Sequence, residues 1–307
     1  MWRREWDLNP CGPERSTGSQ GLRIIRSAIP ACYIPHRLSE FKTFCMVDLQ
    51  LTRGTSKDHA HHIKKFGEWL GDRPLTQSMI REYLLSYKER PCTYANRLKS
   101  LKVFFRDFLR EPQLVESFRF PRFPFKPKTV PTKTTLQRFY NSLSTSKDRA
   151  LFLFYASSGL RRREVLGLEI KDVDFETHLI RPKPYEGKTK SAWISFFNSE
   201  TAVVLEGYLS TRKRKSAKLF PMGRTHERRL WADARTKTGI EITPQVLRIW
   251  FCNEMGRLGV PDRHIDAFCG RVPKSVLGRN YTDYSPERLK EIYDRGNLMI
   301  LSPEPSY

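Results

Sequence analysis

The stretch Ser158-Gly159-Leu160-Arg161-Arg162-Arg163-Glu164-Val165-Leu166-Gly167-Leu168 reads as the end of one helix, a glycine break and the start of another, with three arginines at the break. Further basic residues follow at spaced positions. Lys188 stands in Glu186-Gly187-Lys188-Thr189-Lys190, Arg248 closes Thr243-Pro244-Gln245-Val246-Leu247-Arg248, and Arg271 follows Cys269-Gly270. The series ends on a phenol, Tyr281, in Gly278-Arg279-Asn280-Tyr281-Thr282-Asp283-Tyr284. One phenol preceded by several spaced cations points to phosphate chemistry, with the tyrosine as nucleophile.

Charge composition supports that direction. The 307 residues carry 55 Lys+Arg against 33 Asp+Glu, a net charge of +22 and a pI near 9.9. Such an excess favours a polyanionic partner, because each cation set on a phosphate releases condensed counterions. Hydrophobic content of 39% and charged content of 29% are ordinary for a globular chain. The six cysteines are scattered without a Cys-x-x-Cys pair, so neither a zinc site nor a disulfide framework is expected. No run reaches the roughly eighteen apolar residues of a membrane span. These features predict a reduced, cytoplasmic, nucleoid-associated protein with no membrane partner.

The organisation is read in four parts. Residues 1–36, rich in Pro, Gly and Ser, are expected to form a poorly structured arm. Residues 37–118 show helical periodicity in four segments: from Leu38, from a cap at Thr55–Asp58, from Thr76, and from Thr93 to Leu109. The polar faces of this all-α domain carry Lys57, Lys64, Lys65, Arg97, Lys99 and Lys102, candidates for DNA backbone contact or simply solvated. His59, His61 and His62 are read as a solvated helix start. Residues 119–133 form a linker in which Arg119, Arg122, Lys126, Lys128 and Lys133 alternate with Pro121, Pro124, Pro127 and Pro131, without an acid, suited to track a phosphate backbone. Residues 134–307 are mostly helical, with Leu179–Lys183 and Ala192–Phe197 as two strands joined by the loop that carries Lys188. The expected fold is therefore mainly α with a small β-hairpin or sheet, an α+β class.

These segments together resemble the tyrosine recombinases, the phage-integrase family. Ser158–Leu168, with Asp172-Val173-Asp174 behind it, resembles the family's first arginine box, Gly187-Lys188 its catalytic lysine, and Thr243–Arg248 its His-x-x-Arg box with glutamine where histidine is usual. Phe268-Cys269-Gly270-Arg271 resembles the Leu-Gly-His box with arginine at the histidine, and Asn280-Tyr281-Thr282 matches the nucleophile. The resemblance implies a helical core-binding domain followed by a catalytic domain. It also implies strand exchange on duplex DNA through a 3′-phosphotyrosyl bond, a homo-tetramer on paired sites, and no metal or other cofactor. The catalytic set it implies is Arg161, Lys188, Gln245, Arg248, Arg271 and Tyr281. The apolar tail, Pro286–Tyr293 and Leu298-Met299-Ile300-Leu301, would dock on a neighbouring protomer. A type IB topoisomerase-like DNA relaxing enzyme and a non-catalytic DNA-binding relative are the alternatives.

The chemistry of the residues agrees. A phosphodiester repels nucleophiles, and its transition state gathers charge on the non-bridging oxygens. Planar guanidiniums at Arg161 and Arg248 can clamp those oxygens bidentately. A phenol, ordinarily ionising near about pH 10, needs cations nearby to attack as phenolate. Lys188 on its hairpin is the candidate general acid for the leaving 5′-oxygen, with Lys190 its competitor. Tyr284 competes with Tyr281. Arg162 and Arg163 are read as DNA-facing or solvated, and Glu164 as a buttress rather than a base.

The missing histidines resemble the pattern of archaeal virus and plasmid integrases of the fusellovirus type. Trp6-Asp7-Leu8-Asn9-Pro10 can be encoded by TGG GAT TTG AAC CCG. The reverse complement reads like the T-arm of a tRNA gene, so part of residues 1–36 is expected to be a translated attachment site.

Overall fold

The computed structural model describes residues 33–183, 194–212, 216–271 and 275–302. The chain divides into two compact units, Met1–Phe123 and Pro124–Tyr307, with the boundary inside the proline-rich basic segment.

The first unit is helical. α1 spans Tyr33–Val47, α2 Arg53–Leu70, α3 Gln77–Leu85 and α4 Pro91–Lys102, which runs on into a π-helical stretch, Val103–Phe108. α1 begins inside the segment expected to be unstructured. Pro35 lies in its first turn, where a missing N–H costs no intrahelical bond, and Ile34 is fully buried with Phe41 and Cys45 on one face. A proline that looks like loop punctuation thus belongs to a helix start. α2 also begins earlier than its sequence signal, because Thr52 rather than Thr55 is the cap, its Oγ1 accepting the Thr55 N–H at 3.2 Å. Phe41, Phe66, Tyr83, Phe104 and Phe105 build the core, with Phe66 edge-on to Tyr83 at 5.0 Å between ring centres.

Of the three histidines only His61 is solvent-exposed as expected. His59 is buried and His62 half-buried, and the Nδ1 of each lies 2.8 Å from Ser100 Oγ on α4. Ser100 in turn donates to the Asn96 carbonyl at 3.0 Å, so both rings bond to it as donors. Burial first, then the nearby Lys99 and Arg97 respectively, pushes both imidazoles below their ordinary pKa.

In the second unit α5 (Lys133–Asn141) leads to α6 (Ser146–Ser158), whose residues Ala150 to Ser158 are all buried. α7 (Arg162–Gly167) follows the Gly159 break. Three short antiparallel strands come next: β1 (Val173–Asp174), β2 (Leu179–Ile180) and β3 (Ser195–Phe196), with Val173 opposite Ile180 and Leu179 opposite Phe196. The loop between β2 and β3 that holds Lys188 and Lys190 lies outside the described residues. α8 (Ser199–Ser210), α9 (Arg224–Thr238), α10 (Pro244–Arg257), α11 (Asp262–Phe268), α12 (Val276–Asn280) and α13 (Pro286–Arg295) complete the unit. Central α6 packs against α8 and α10. Among the described residues no helix is long and apolar enough to cross a membrane.

The tail departs from expectation. Tyr293, Leu298 and Ile300 are buried in their own unit, and the Tyr293 hydroxyl donates to the Ser157 carbonyl at 2.8 Å. The Glu200 carboxylate on α8 accepts the amides of Ile300 (2.6 Å), Leu301 (3.0 Å) and Ser302 (2.7 Å). Gln137 Nε2 donates to the Ile300 and Leu301 carbonyls. The apolar side chains that suggested docking on a neighbour fill a groove of the same chain instead. Burial raises the Glu200 pKa, but the three amides and the Ser302 hydroxyl outweigh it, so the net shift is downward. A depressed carboxyl stabilises the fold above its unfolded pKa and loses that contribution as pH falls through the folded value. Glu200→Gln should therefore free residues 298–302, at a loss of about 1–3 kcal/mol for bonds to a charged acceptor. Amide hydrogen exchange of these residues checks it. Unchanged protection in the variant would mean that packing alone holds the tail.

Candidate active site

The site is built on two helix ends. α6 stops at Gly159, which adopts φ +62°. A Cβ there would lie 2.4 Å from the Phe251 ring on α10, so neither the conformation nor the space admits a side chain. α11 ends in a Schellman turn. Gly270, at φ +57°, donates its N–H to Ala267, and the Arg271 N–H reaches back to the Asp266 carbonyl, each at 2.8 Å. These two turns present the carbonyls of Gly159, Cys269 and Gly270 to the guanidiniums.

Arg248, only 5% exposed, spans the two turns. Its Nη1 donates to the Gly159 carbonyl at 2.5 Å and its Nη2 to the Cys269 carbonyl at 2.7 Å. Burial is the main influence pulling its pKa below the usual arginine value; Cys269 opposes this and Arg161 adds to it. Arg161 is the N-cap residue of α7, and its Nη2 donates to the Gly270 carbonyl at 3.4 Å. Its backbone N–H and its Nη1 both bond to the buried Glu164 carboxylate, at 2.7 and 2.9 Å. Glu164 therefore orients the arginine and closes the helix start, the buttress its position suggested. Two guanidiniums thus rest on consecutive carbonyls of one turn. Arginine carries five N–H donors, and each of these spends only some of them, leaving the others for an anion.

The remaining candidates fall into three groups. Arg271 follows directly on the Schellman turn, half-exposed, with Nη1 2.7 Å from Asp266 Oδ1, a bond that raises its pKa. Gln245 stands exposed in the first turn of α10, one turn before Arg248. Tyr281 follows α12 with 76% of its surface exposed, whereas the competing Tyr284 hydroxyl donates to the Gly278 carbonyl at 2.7 Å. Of the two tyrosines, Tyr284 is engaged in holding the fold. Arg162 turns the other way: its Nε forms a 2.9 Å ion pair with fully buried Glu227, off hydrogen-bond alignment, and Glu227 Oε1 accepts the Tyr155 hydroxyl at 2.7 Å. A role in packing α7 against α9 fits Arg162 better than an open DNA-facing surface. Arg163 is exposed. Glu227, Asp266 and the pair Cys252–Cys269 were not singled out from sequence, because each acquires its role from a partner distant along the chain or across a turn.

In the helical unit Lys57, Lys64, Lys65 and Lys99 are exposed, with Lys65 paired to Glu68 at 2.8 Å. Lys57 and Lys64, seven residues apart on α2, share a face. Arg97 is half-buried over the Tyr87 ring, and Lys102 donates to the Glu116 carbonyl at 3.4 Å and lies over Phe120. Arg119, Arg122, Lys126 and Lys128 are exposed, interleaved with exposed Phe120, Phe123 and Phe125.

Comparison with known proteins places this mostly helical fold in the tyrosine recombinase class of DNA-rearranging enzymes. The model of the phage integrase family matches residues 131–288, and the chain belongs to that family. Tyrosine recombinase XerA of Pyrococcus horikoshii is 26% identical over 278 residues, covering 85% of this chain and 94% of the relative. Tyrosine recombinase XerC of Myxococcus xanthus is 26% identical over 247 residues, covering 71% and 81%. A solved lambda integrase dimer bound to a COC′ core site superposes with TM-score 0.64 at 14% identity, covering 82% of this chain and 99% of that one. The Tn1549 transposon integrase in complex with circular intermediate DNA gives 0.61 at 17%, covering 86% and 99%. The last two likenesses are of fold.

Proposed function

We propose that this protein carries out site-specific recombination of integrase type on duplex DNA, with Tyr281 as the nucleophile that forms a 3′-phosphotyrosyl bond. The observation that carries this reading is the pair Arg161 and Arg248 anchored on the adjacent carbonyls of Gly270 and Cys269. Glu164 balances one of the two charges, so the remaining donors and positive charge suit a phosphodiester. In this reading the two guanidiniums, with Arg271, stabilise charge that grows on the non-bridging oxygens as the Tyr281 oxygen attacks phosphorus. The 5′-oxygen leaves and takes a proton, for which Lys188 is the candidate acid and Lys190 the alternative. Gln245 can donate hydrogen bonds from its amide but cannot relay a proton as histidine would. The bond energy kept in the phosphotyrosyl link allows religation to a second strand without a nucleotide.

DNA contacts are assigned to Lys57, Lys64, Lys65, Lys99, Arg119, Arg122, Lys126 and Lys128, with Arg97, Lys102 and Arg163 as further candidates. A homo-tetramer on paired attachment sites, with a site inside a tRNA gene, completes the reading; the residues supporting the latter are Trp6–Pro10. A duplex nicked just beyond the cleavage site should trap a covalent protein–DNA adduct that Tyr281→Phe abolishes. Persistence of the adduct in that variant would transfer the nucleophile to another residue. Absence of any adduct would favour a DNA-binding relative, and adducts without recombination of two site-bearing duplexes would favour a topoisomerase-like activity.

A further inference from the structure

α10 and α11 bring together two thiols for which the proposed strand chemistry has no use. Cys252 Sγ lies 3.4 Å from Cys269 Sγ. Cys252 is half-buried, with Arg271 Nη2 3.7 Å from its sulfur; Cys269 is fully buried, 3.8 Å from the Gly159 carbonyl. A disulfide needs its sulfurs about 2 Å apart, so closure must bring this pair about 1.4 Å closer.

The electrostatics favour exchange. The bond from Cys269, then Arg271 and Arg248, outweigh burial and pull the Cys252 thiol down to about 6. The same bond, together with burial, pushes Cys269 up. The pair thus sets the more acidic thiol on the more accessible sulfur, the arrangement that favours thiol–disulfide exchange.

We propose that Cys252 and Cys269 form a redox-responsive dithiol that closes to a disulfide beside the active-site arginines and slows strand cleavage. The effect on cleavage rests on the function proposed above. With a low-molecular-weight disulfide as oxidant, the Cys252 thiolate attacks one sulfur and expels the other half as a thiolate. That thiolate takes the Cys269 proton, and the Cys269 sulfur attacks Cys252 sulfur, expelling the second half. Two protein thiols lose two electrons, and one small disulfide becomes two thiols. Closure pulls on Cys269, the residue whose carbonyl holds Arg248.

The test treats the full-length protein with oxidised glutathione and maps peptides without reduction. The expected result is a Cys252 peptide joined to a Cys269 peptide, lighter by two hydrogens. Single-turnover cleavage of the nicked duplex should slow about tenfold, consistent with disturbing rather than deleting a donor, and recover with reductant. Cys252→Ser should cleave normally and ignore the oxidant, with Cys252→Ala taking its place if the serine variant does not fold. Failure to form this cross-link overturns the proposal, as does a cross-linked protein that cleaves as fast as the dithiol form. A reduced protein that forms no adduct counts against the functional reading instead, while the cross-link, read by mass alone, still decides whether the dithiol exists.

Discussion

Arg248→Lys should fold and yet lose strand cleavage by about 10²–10³-fold, or ~3–4 kcal/mol of transition-state stabilisation. The two carbonyls that Arg248 bridges belong to different turns, Gly159 after α6 and Cys269 after α11, and its two Nη atoms reach one each. An ammonium is a compact donor on a flexible stem and cannot occupy both positions while pointing another donor at a phosphate. At 5% exposure the unsatisfied carbonyl would have little water to turn to, adding about 1–3 kcal/mol of instability. Single-turnover adduct formation alongside thermal unfolding separates the two effects. A lysine variant cleaving at the parental rate would show that Arg248 serves the fold alone.

Gly159→Ala is expected to be the most damaging single-methyl addition in the second unit. Its φ of +62° costs an L-residue about 1–2 kcal/mol. The new methyl would also meet the Phe251 ring at 2.4 Å, inside a core where overpacking typically costs about 1–3 kcal/mol. Any relief must move either α10 or the Gly159 carbonyl, and both are fastened to Arg248. Stability and cleavage should therefore fall together, a pattern that denaturation midpoints and adduct yield at low temperature would reveal. Gly239→Ala is the matching control, since that glycine also has positive φ, at +69°, but nothing lies near its absent Cβ. Equal losses in both variants would assign the effect to backbone conformation rather than to the Phe251 contact.

The contrast between what was and was not legible follows the range of the forces. The break at Gly159, the helices around it and the strand pair near residues 179–197 declare themselves in local periodicity and in one glycine. α12 has five residues and β1 two, too short for any period to register. Pro35 misled because proline's meaning depends on whether it falls in a first turn, which only the burial of Ile34 decides. The arginines of the site were legible as types at spacings. Their anchoring on carbonyls was not, because a carbonyl is present at every residue and leaves no mark in the sequence. Arg162 and Arg163 are adjacent and chemically identical, yet buried Glu227, far along the chain, takes Arg162. The tail's apolar residues announced that something would cover them, and Glu200 determines that the cover is their own chain.

The main-chain anchoring of Arg161 and Arg248 has a bearing on how such a site tolerates mutational drift. A guanidinium held by neighbouring side chains is lost when any of those side chains is exchanged. Arg248, held by the carbonyls of residues 159 and 269, survives every exchange that keeps the two glycine turns, whereas Arg161 also leans on the Glu164 carboxylate. The identities at 245 and 271 are then free to wander without dismantling the arginine pair. The demand for a fixed identity then falls on Gly159 and Gly270, which have no side chain at all.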